Sequence, residues 1–215
     1  MPSKTFFNLP EQKRNRVIRQ GLLEFSAQFY QKASLTLITE KAKIPKGSIY
    51  QYFENKKDLY AYLVSYSAQQ KLQYLYNIQG KDDFSLHLKE LLIEGALYDI
   101  QNPAISLILF NSIHETHPDV QEVAENLKDI IFNYYLDIVE KAQKKKQISN
   151  KFDKQTVAYY LYALNLQFHE LLRQKYGIDI YRETRRRKKL LKITRKDLEK
   201  MFEEILRILF AGLEK

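Results

Sequence analysis

The sequence predicts an all-α protein, and three observations support this fold class. Apolar residues recur three and four positions apart along most of the 215-residue chain, which is the spacing of amphipathic helices. Strict alternation of apolar and polar residues is rare, and only six glycines are available for tight turns. Hydrophobic residues make up 45% of the chain and charged residues 28%, which is ordinary for a globular protein with a buried core.

The composition excludes several classes of protein. Because cysteine is absent, neither disulfides nor thiol catalysis are available, and a reducing, cytoplasmic location is expected. No apolar run approaches the roughly 20 residues of a membrane span, and residues 1–10 lack the apolar core of a signal peptide. Neither a glycine-rich phosphate loop nor a Gly-x-Ser-x-Gly motif occurs. We therefore expect no catalytic residues, no cofactor and no enzyme activity.

The first helix is predicted to begin at Asn8, because a glutamate follows three residues later and a proline falls within the first turn. Ile18, Leu22 and Phe25 share one face, and the helix is expected to continue to about Phe29. The residues before it, including Lys4, are expected to form a disordered basic tail, and contact of Lys4 with DNA is the alternative.

The next segment has the pattern of a helix-turn-helix. Ser34 is a good N-cap for a helix that ends near Ala42, and Pro45 suits the first turn of a second short helix. Asn55 then caps a third helix, with Asp58 three residues on in a capping-box arrangement. We expect this third helix to run to about residue 77 and to link the N-terminal head mechanically to the remainder.

The second short helix has two chemically different faces. Ile49 and Phe53 lie one turn apart and are expected to anchor it to a core. The opposite face carries small and polar groups flanked by two tyrosines, namely Gly47, Ser48 and Gln51 with Tyr50 and Tyr52. Hydrogen-bonding groups on a short helix beside positive charge suit the major groove of DNA. The alternative is an ordinary three-helix cluster, which gives the same spacing.

The charge distribution favours DNA binding. Residues 1–57 contain eleven Lys or Arg and four Glu, a net charge of +7, whereas the whole chain carries +9. The excess positive charge therefore lies on the segment with the helix-turn-helix, as neutralisation of phosphates requires.

The run from Ala42 to Phe53, followed by Asn55-Lys56-Lys57-Asp58-Leu59, resembles the N-terminal DNA-binding domain of the tetracycline-repressor (TetR) family. Members of that family typically read Ala-Gly-Val-Ser-Lys-Gly-Thr-Leu-Tyr-x-Tyr-Phe, then a polar break and Lys-x-x-Leu. Pro45 replaces a small residue, and Lys43 and Phe29 stand where the family usually has glycine. We expect both of these residues to adopt a left-handed conformation, at a cost of about 1 kcal/mol or more each.

The resemblance implies a three-helix head, residues 1–57, and a larger helical domain, residues 58–215, that binds an effector and dimerises. It also implies roles by position. The residues at phosphate-contacting positions are Lys46, Ser48, Tyr52 and Lys56, those near bases are Gly47, Tyr50 and Gln51, and Thr36 touches a base or a phosphate.

The second half continues as helices, with breaks at Gly80, Pro103, Pro118 and Gly177. Before the last helix, the basic run Arg185–Lys189 is expected to be a solvated loop or a helix extension, with a second nucleic-acid contact as the alternative. The last two helices carry wide apolar stripes, which the family implies are paired with their copies across a two-fold axis: Leu164, Phe168 and Leu171, then Phe202, Leu206, Leu209 and Phe210. The alternative is that these stripes face only the protein's own core.

Two polar clusters are candidates for binding small ligands. His114, His117 and Asp119 could sense a metal, but a three-residue spacing followed by Pro118 does not fit the usual zinc-helix motif, so no metal site is expected. Polar and aromatic residues could orient an effector in a mostly apolar pocket, namely Tyr98, Phe110, Asn111, Tyr134, Tyr135, Asn165 and His169. The alternative is that they satisfy one another structurally.

Together these features predict a homodimeric transcriptional regulator that binds double-stranded operator DNA. We expect a repressor that a small-molecule effector releases from its operator. Two alternatives remain, an effector-independent structural DNA-binding protein and an enzyme with a basic head. A cavity of roughly 300 Å³ or more in the large domain would favour an effector.

Overall fold

The computed structural model describes residues 1–78, 83–177, 179, 182 and 193–213, and every regular element in those ranges is helical, as predicted. The α-helices are α1 (Lys4–Phe7), α2 (Glu11–Ala27), α3 (Leu35–Ala42), α4 (Ser48–Tyr52), α5 (Lys56–Tyr76), α6 (Phe84–Gln101), α7 (Pro103–Ile113), α8 (Gln121–Lys144), α9 (Lys154–Tyr176) and α10 (Arg195–Leu213). Short 3-10 helices occupy Tyr30–Lys32 and Pro118–Val120. In the described ranges, none of the helices combines the length and hydropathy of a membrane span.

The chain divides into two compact units. The head unit comprises Met1–Gln70 and Asn102–Lys128, and the core unit comprises Lys71–Gln101 and Asp129–Lys215. The functional boundary between residues 57 and 58 stays a prediction. The predicted break at Gly80 and the basic run Arg185–Lys189 lie outside the described residues.

In the head unit, α2 packs against α3 and α7. Phe25, Ile38 and Leu63 are fully buried there. A Cβ atom at Gly21 would lie 2.6 Å from Leu63 Cδ1, so glycine is what lets α2 approach α5 this closely.

The predicted caps of the head unit are present. Ser34 Oγ accepts a hydrogen bond from the backbone N–H of Leu37 at 3.3 Å. Asn55 Oδ1 accepts from the N–H of Asp58 at 2.9 Å, and Asp58 Oδ2 accepts from the N–H of Glu54 at 3.2 Å. Each bond satisfies a donor that a helix start would otherwise leave without a partner.

The two positions where the family has glycine behave differently. Lys43 has φ 56° and ψ 49°, so the predicted left-handed conformation is confirmed. For Phe29 the prediction is wrong, because φ is −63° and ψ is 158°. The chain leaves α2 through an extended residue, Gln28, with φ −133°, so the helix ends at Ala27 and the connection needs no left-handed residue.

The predicted disordered tail is also wrong. Lys4–Phe7 form a short helix, and Phe6 is fully buried. The Phe6 ring lies 4.8 Å from the Phe53 ring and 5.4 Å from the Tyr62 ring, centroid to centroid. Burial of one aromatic ring stabilises this segment by about 2–3 kcal/mol, which outweighs its low intrinsic helicity.

In the core unit, α10 packs along α6. Asp153 caps α9 by accepting from the N–H of Thr156 at 2.8 Å, and the N–H of Thr194 donates to Asp197 at the start of α10, also at 2.8 Å. Leu91, Tyr135 and Leu161 lie in one buried cluster of this unit, and further residues form a second cluster around Ile93.

The predicted dimer stripe on the last helix is corrected by this packing. Phe202, Leu206, Leu209 and Phe210 are only 2–8% exposed because they face the chain's own core. Leu164 and Leu171 are half-buried, and the side chain of Phe168 lies outside the described residues. The stripe is wide because α10 contributes to both clusters of the core unit.

Candidate functional site

Helix α4 begins later than predicted. Pro45–Gly47 lie in a tight turn before the helix, in which the N–H of Ser48 donates to the carbonyl of Pro45 at 2.9 Å. The predicted anchors are confirmed, since Ile49 is 1% and Phe53 is 2% exposed. The rest of this five-residue helix is oriented by these two side chains.

Most of the predicted DNA-contacting residues lie at the surface. Lys46, Gly47 and Gln51 are exposed, and Tyr50 is 57% exposed. Ser48 and, in α3, Thr36 are half-buried. We call the residues at the start and on the outer side of α4, namely Lys46, Gly47, Ser48, Tyr50 and Gln51, the α4 face. Whether it contacts DNA stays a prediction.

Tyr52 and Lys56 differ from the other predicted contacts. Tyr52 is only 3% exposed and packs against Phe6, so it lies in the head core and not on the flank of the α4 face. Lys56 Nζ donates to the carbonyl of Gln31 at 3.1 Å and lies 4.8 Å from the centroid of the Tyr30 ring. Burial lowers the pKa of Lys56, partly offset by nearby glutamates. This ammonium group is therefore held against the carbonyl of Gln31 and the ring of Tyr30.

Ser3 supports α4 in a way that the sequence analysis missed. Its N–H donates to the carbonyl of Tyr52 at 2.9 Å, and its hydroxyl donates to the carbonyl of Gln51 at 2.7 Å. These two bonds satisfy carbonyls at the C-terminal end of α4, and an isolated helix of this length has little stability of its own. The Phe6-Phe7 pair was the available sequence signal that this segment folds onto the head.

Asn111 also has a structural role in the head unit. It is 1% exposed, and its side-chain amide donates to the carbonyls of Phe25 and Ser26, each at 3.1 Å. These carbonyls belong to the last turn of α2, where no N–H group of the same helix is available as a donor. The ring of Phe110, its neighbour, lies 4.2 Å from that of His114. This corrects the assignment of Asn111 to an effector pocket, and the assignment of Phe110 stays a prediction.

Residues after α7 fix the loop that precedes α3. Glu115 accepts hydrogen bonds from the N–H of Tyr30 at 2.8 Å and from the N–H of His117 at 3.1 Å. His117 Nδ1 accepts from the N–H of Asp119 at 3.3 Å. Among the described residues, no group of three or more His, Asp or Glu is arranged to hold a metal ion. Glu115 and His117 therefore stabilise the backbone of the head unit by accepting hydrogen bonds from its N–H groups.

The core unit contains a small cavity of about 50 Å³, which we call the Asp99 cavity. It is lined by Lys71, Leu75, Leu91, Leu92, Gly95, Ala96, Asp99, Tyr134, Tyr135, Asn165, His169 and Phe202. Four of the predicted effector residues are therefore brought together, namely Tyr134, Tyr135, Asn165 and His169. Tyr98 is not among the lining residues, and its ring packs against that of Tyr74 at 4.9 Å.

The Asp99 cavity contains an ion pair that the sequence analysis missed. Lys71 Nζ lies 2.8 Å from Asp99 Oδ1 and 2.9 Å from Oδ2, and the Asp99 side chain is 5% exposed. His169 Nε2 lies 3.9 Å from Asp99 Oδ2. Burial, with smaller effects of Tyr134 and Asp99, raises the pKa of Tyr135 far above its usual range, so its hydroxyl keeps its proton. The cavity thus presents donors and an acceptor on an apolar background.

A second cavity in the core unit has a volume of about 200 Å³. We call it the His87 cavity, and His87 lines it together with residues of α5, α6 and α8. Neither volume reaches the roughly 300 Å³ at which ligand pockets generally begin.

Helix α5 contributes residues to both units. Its N-terminal cap, Asn55, follows α4 after two residues, and its last two turns carry Lys71 and Tyr74. The Tyr74 hydroxyl donates to Glu94, which also accepts from Arg195 at 2.5 Å. Arg195 binds Glu90 as well, at 2.5 Å. The C-terminal end of α5 is therefore tied to α6, and α6 to α10.

Comparisons with known proteins agree with these features. Residues 18–63 match the family model of the bacterial regulatory proteins of the tetR family. No curated protein sequence shows significant similarity to the chain. A crystal structure of a TetR family transcriptional regulator from Chloroflexus aurantiacus is 29% identical, with a TM-score of 0.76, over 100% of this chain and 99% of that one.

Two more distant structures share the fold. The transcriptional regulator FadR from Bacillus subtilis, in complex with stearoyl-CoA, is 14% identical with a TM-score of 0.70, over 92% of this chain and 98% of that one. A TetR-like transcriptional regulator from Rhodococcus sp. RHA1 is also 14% identical, with a TM-score of 0.67, over 95% of this chain and all of the other. At these identities the likeness concerns the fold alone.

Proposed function

We propose that this chain, a transcriptional regulator of the TetR family, is a repressor that binds double-stranded operator DNA as a homodimer. The observation that carries the proposal is the α4 face, where exposed Gly47, Tyr50 and Gln51 stand opposite the buried anchors Ile49 and Phe53. A helix held in this way can enter a major groove with its polar side against the bases, while α3 crosses the backbone.

Within the α4 face, we assign different roles to different groups. Gln51 carries an amide that can form two hydrogen bonds with a base edge, and Tyr50 offers an aromatic edge to thymine methyl groups. Lys46 and Ser48 lie at the start of α4 and contact phosphates, which positions the helix without specifying sequence. The net charge of +7 on residues 1–57 supplies the non-specific part of the affinity.

Selection of binding sites from a random DNA pool tests these roles. Gln51→Ala should change the preferred base at one position per half-site, at a cost of about 1–3 kcal/mol for the original base. Lys46→Ala should weaken binding to all sequences alike and reduce the salt slope by about one. Lys128→Ala is a matched control, since Lys128 pairs with Glu125 outside the matched segment. An unchanged sequence preference for Gln51→Ala would refute the assignment.

The dimer is proposed to form through the outer sides of α9 and α10. Ile208 on α10 is 73% exposed, and Tyr159 and Tyr160 on α9 are 63% and 53% exposed. Large apolar side chains this exposed are costly in water, and burial between two copies would remove the cost. A two-fold pair of heads also doubles the base pairs contacted.

Light scattering at micromolar concentration tests this interface. Ile208→Glu should shift the protein toward the monomer. Ile130→Glu introduces the same charge at a side chain that is 38% exposed on α8, and it should leave the mass unchanged. A monomeric wild-type protein would refute both the interface and the two-fold pairing of heads on the operator.

We further propose that a small effector binds in the Asp99 cavity and releases the operator. Any ligand that binds Lys71 or Asp99 in place of its partner breaks the contacts that hold the last turns of α5 to α6. Such a ligand can shift the equilibrium only by its difference in affinity for the two states. Because the cavity measures about 50 Å³, the effector is far smaller than the stearoyl-CoA bound by the Bacillus subtilis neighbour.

Native mass spectrometry of the purified protein tests effector binding. A co-purified ligand should appear as added mass, and Gly95→Ala should lose it, since the new methyl group enters the cavity 3.8 Å from Leu75 Cδ2. The ligand, once identified, should weaken operator binding by the wild-type protein.

The small cavity volumes favour a second function, an effector-independent DNA-binding protein. This alternative predicts a ligand-free mass spectrum and an operator affinity that small-molecule extracts of the cells do not change. A ligand that is found in the spectrum and weakens operator binding would exclude it.

A further inference from the structure

The His87 cavity lies among the end of α5, the first half of α6 and the last turns of α8, and it has a different chemistry from the Asp99 cavity. Its volume is about 200 Å³. It is lined by Leu75, Tyr76, Ile78, Phe84, His87, Leu91, Tyr134, Asp137, Ile138, Lys141, Ala142, Lys145 and Gln147. Leu75, Leu91 and Tyr134 line both cavities, so they form the wall that the two share.

The floor of the His87 cavity is apolar. Leu75, Phe84 and Leu91 are 4–8% exposed, and Ile138 and Ala142 are 9% and 2% exposed. These residues belong to one hydrophobic cluster of the core unit, so their positions are fixed by packing. An alkyl chain on this surface would leave water at about 25 cal/mol per Å².

The rim of the cavity is cationic. Lys141 forms an ion pair with Asp137 at 2.6 Å, whereas Lys145 is exposed one turn further along the chain. With one acid and two lysines, the rim carries a net positive charge. The carbonyls at the end of α8 do not oppose an anion strongly, because those of Lys141, Ala142 and Gln143 already accept backbone N–H groups.

His87 supplies a polar group at the same place. Its Nδ1 atom is buried and has no hydrogen-bond partner within the described part of the chain. Leaving a buried nitrogen without a partner is costly. Burial, and then the charge of Lys145, lowers the pKa of His87, so the imidazole is neutral and can donate through one nitrogen.

We propose that the His87 cavity is a second ligand site, distinct from the effector cavity, and that it takes a small amphiphilic anion such as a medium-chain carboxylate. The carboxylate binds Lys145 and His87 at the rim, and the alkyl chain lies on the floor of Leu75, Phe84 and Ile138. The volume of about 200 Å³ corresponds to about seven water molecules at roughly 30 Å³ each, which limits the ligand to a short alkyl chain.

Isothermal titration calorimetry with octanoate tests the proposal on the full-length wild-type protein. Octanoate should bind one per chain, and octanamide and acetate should each bind at least tenfold more weakly, because one lacks the charge and the other the chain. Lys145→Gln should weaken octanoate about tenfold. Lys144→Gln, at the next position, removes an exposed lysine that pairs with Glu140, and it should change the affinity less than twofold.

Three results would overturn the proposal. These are the absence of octanoate binding at millimolar concentration, equal binding of octanamide, and equal effects of Lys144→Gln and Lys145→Gln. Gly95→Ala separates the two cavities, since it narrows the Asp99 cavity and should leave octanoate affinity unchanged. Loss of octanoate binding in Gly95→Ala would instead place the anion in the effector cavity. Because the measurement uses no DNA, it stands apart from the test of operator release.

Discussion

The ion pair between Lys71 and Asp99 gives the sharpest test of the core unit. We consider Lys71→Met, which keeps an apolar side chain of nearly the same length, with sulfur in place of one methylene, and removes the ammonium group. The change deletes two short contacts, at 2.8 and 2.9 Å, and leaves the carboxylate of Asp99 in a site where its side chain is 5% exposed.

The expected cost follows from this burial. Removing one member of a buried ion pair typically costs 3–5 kcal/mol, because the other charge stays without compensation. The Lys71 side chain is 22% exposed, so some water reaches the pair, and we expect the lower end, about 3 kcal/mol. The double variant Lys71→Met/Asp99→Leu should recover most of this loss, since an apolar replacement of both partners is often neutral.

Lys89→Met is a matched control for the same substitution. Lys89 lies 3.1 Å from Glu203, and its side chain is 26% exposed, close to the value for Lys71. Its partner, however, is 71% exposed, so the surface pair should contribute less than about 1 kcal/mol.

Urea denaturation followed by far-ultraviolet circular dichroism and by tyrosine fluorescence measures these differences. For slopes near 2–3 kcal/mol per molar urea, a loss of about 3 kcal/mol lowers the midpoint by about 1 M. Coincident curves from the two probes are needed before a single free energy of unfolding is assigned. If Lys71→Met loses no more stability than Lys89→Met, the pair is not buried in solution and the reasoning fails.

Three further predictions concern local conformation and protonation. Lys43→Gly should raise thermal stability by about 1 kcal/mol, because φ is 56° and glycine adopts this conformation without strain. Gly95→Ala should stabilise the protein by about 1 kcal/mol through helix propensity, since the new Cβ atom would lie 3.8 Å from the nearest side chain. Gly21→Ala should destabilise it, because the new Cβ atom would lie only 2.6 Å from the nearest side chain. Overpacking of this kind costs about 1–3 kcal/mol, which exceeds the gain in helix propensity. Burial and the charge of Lys145 lower the pKa of His87 in the folded state. The contribution of His87 to folding stability is therefore present above the pKa of the unfolded state, about 6.5. It is lost as the pH falls through the lowered pKa of the folded state. Melting temperatures at pH 7.5 and 5.5 should therefore differ less in His87→Gln than in the wild-type protein, and an equal difference would contradict this.

Features that depend on neighbours along the chain could be predicted from the sequence. Ser34 caps α3, Asn55 and Asp58 cap α5, and Lys43 takes the left-handed conformation, all as predicted. Each depends on backbone groups within about four residues, so a local pattern carries the information. The anchoring of α4 by Ile49 and Phe53 was predictable for the same reason, because helical periodicity fixes which side chains share a face.

The partner that each apolar or polar side chain contacts depends on how the helices pack, which a local sequence pattern does not specify. Periodicity shows that Phe202 faces inward, but it does not distinguish the chain's own core from a second copy. In the same way, the polar side chain of Asn111 suited an effector pocket, but it caps the end of α2 instead. The Lys71–Asp99 pair joins residues 28 positions apart on different helices, and its strength comes from burial, which no local pattern encodes.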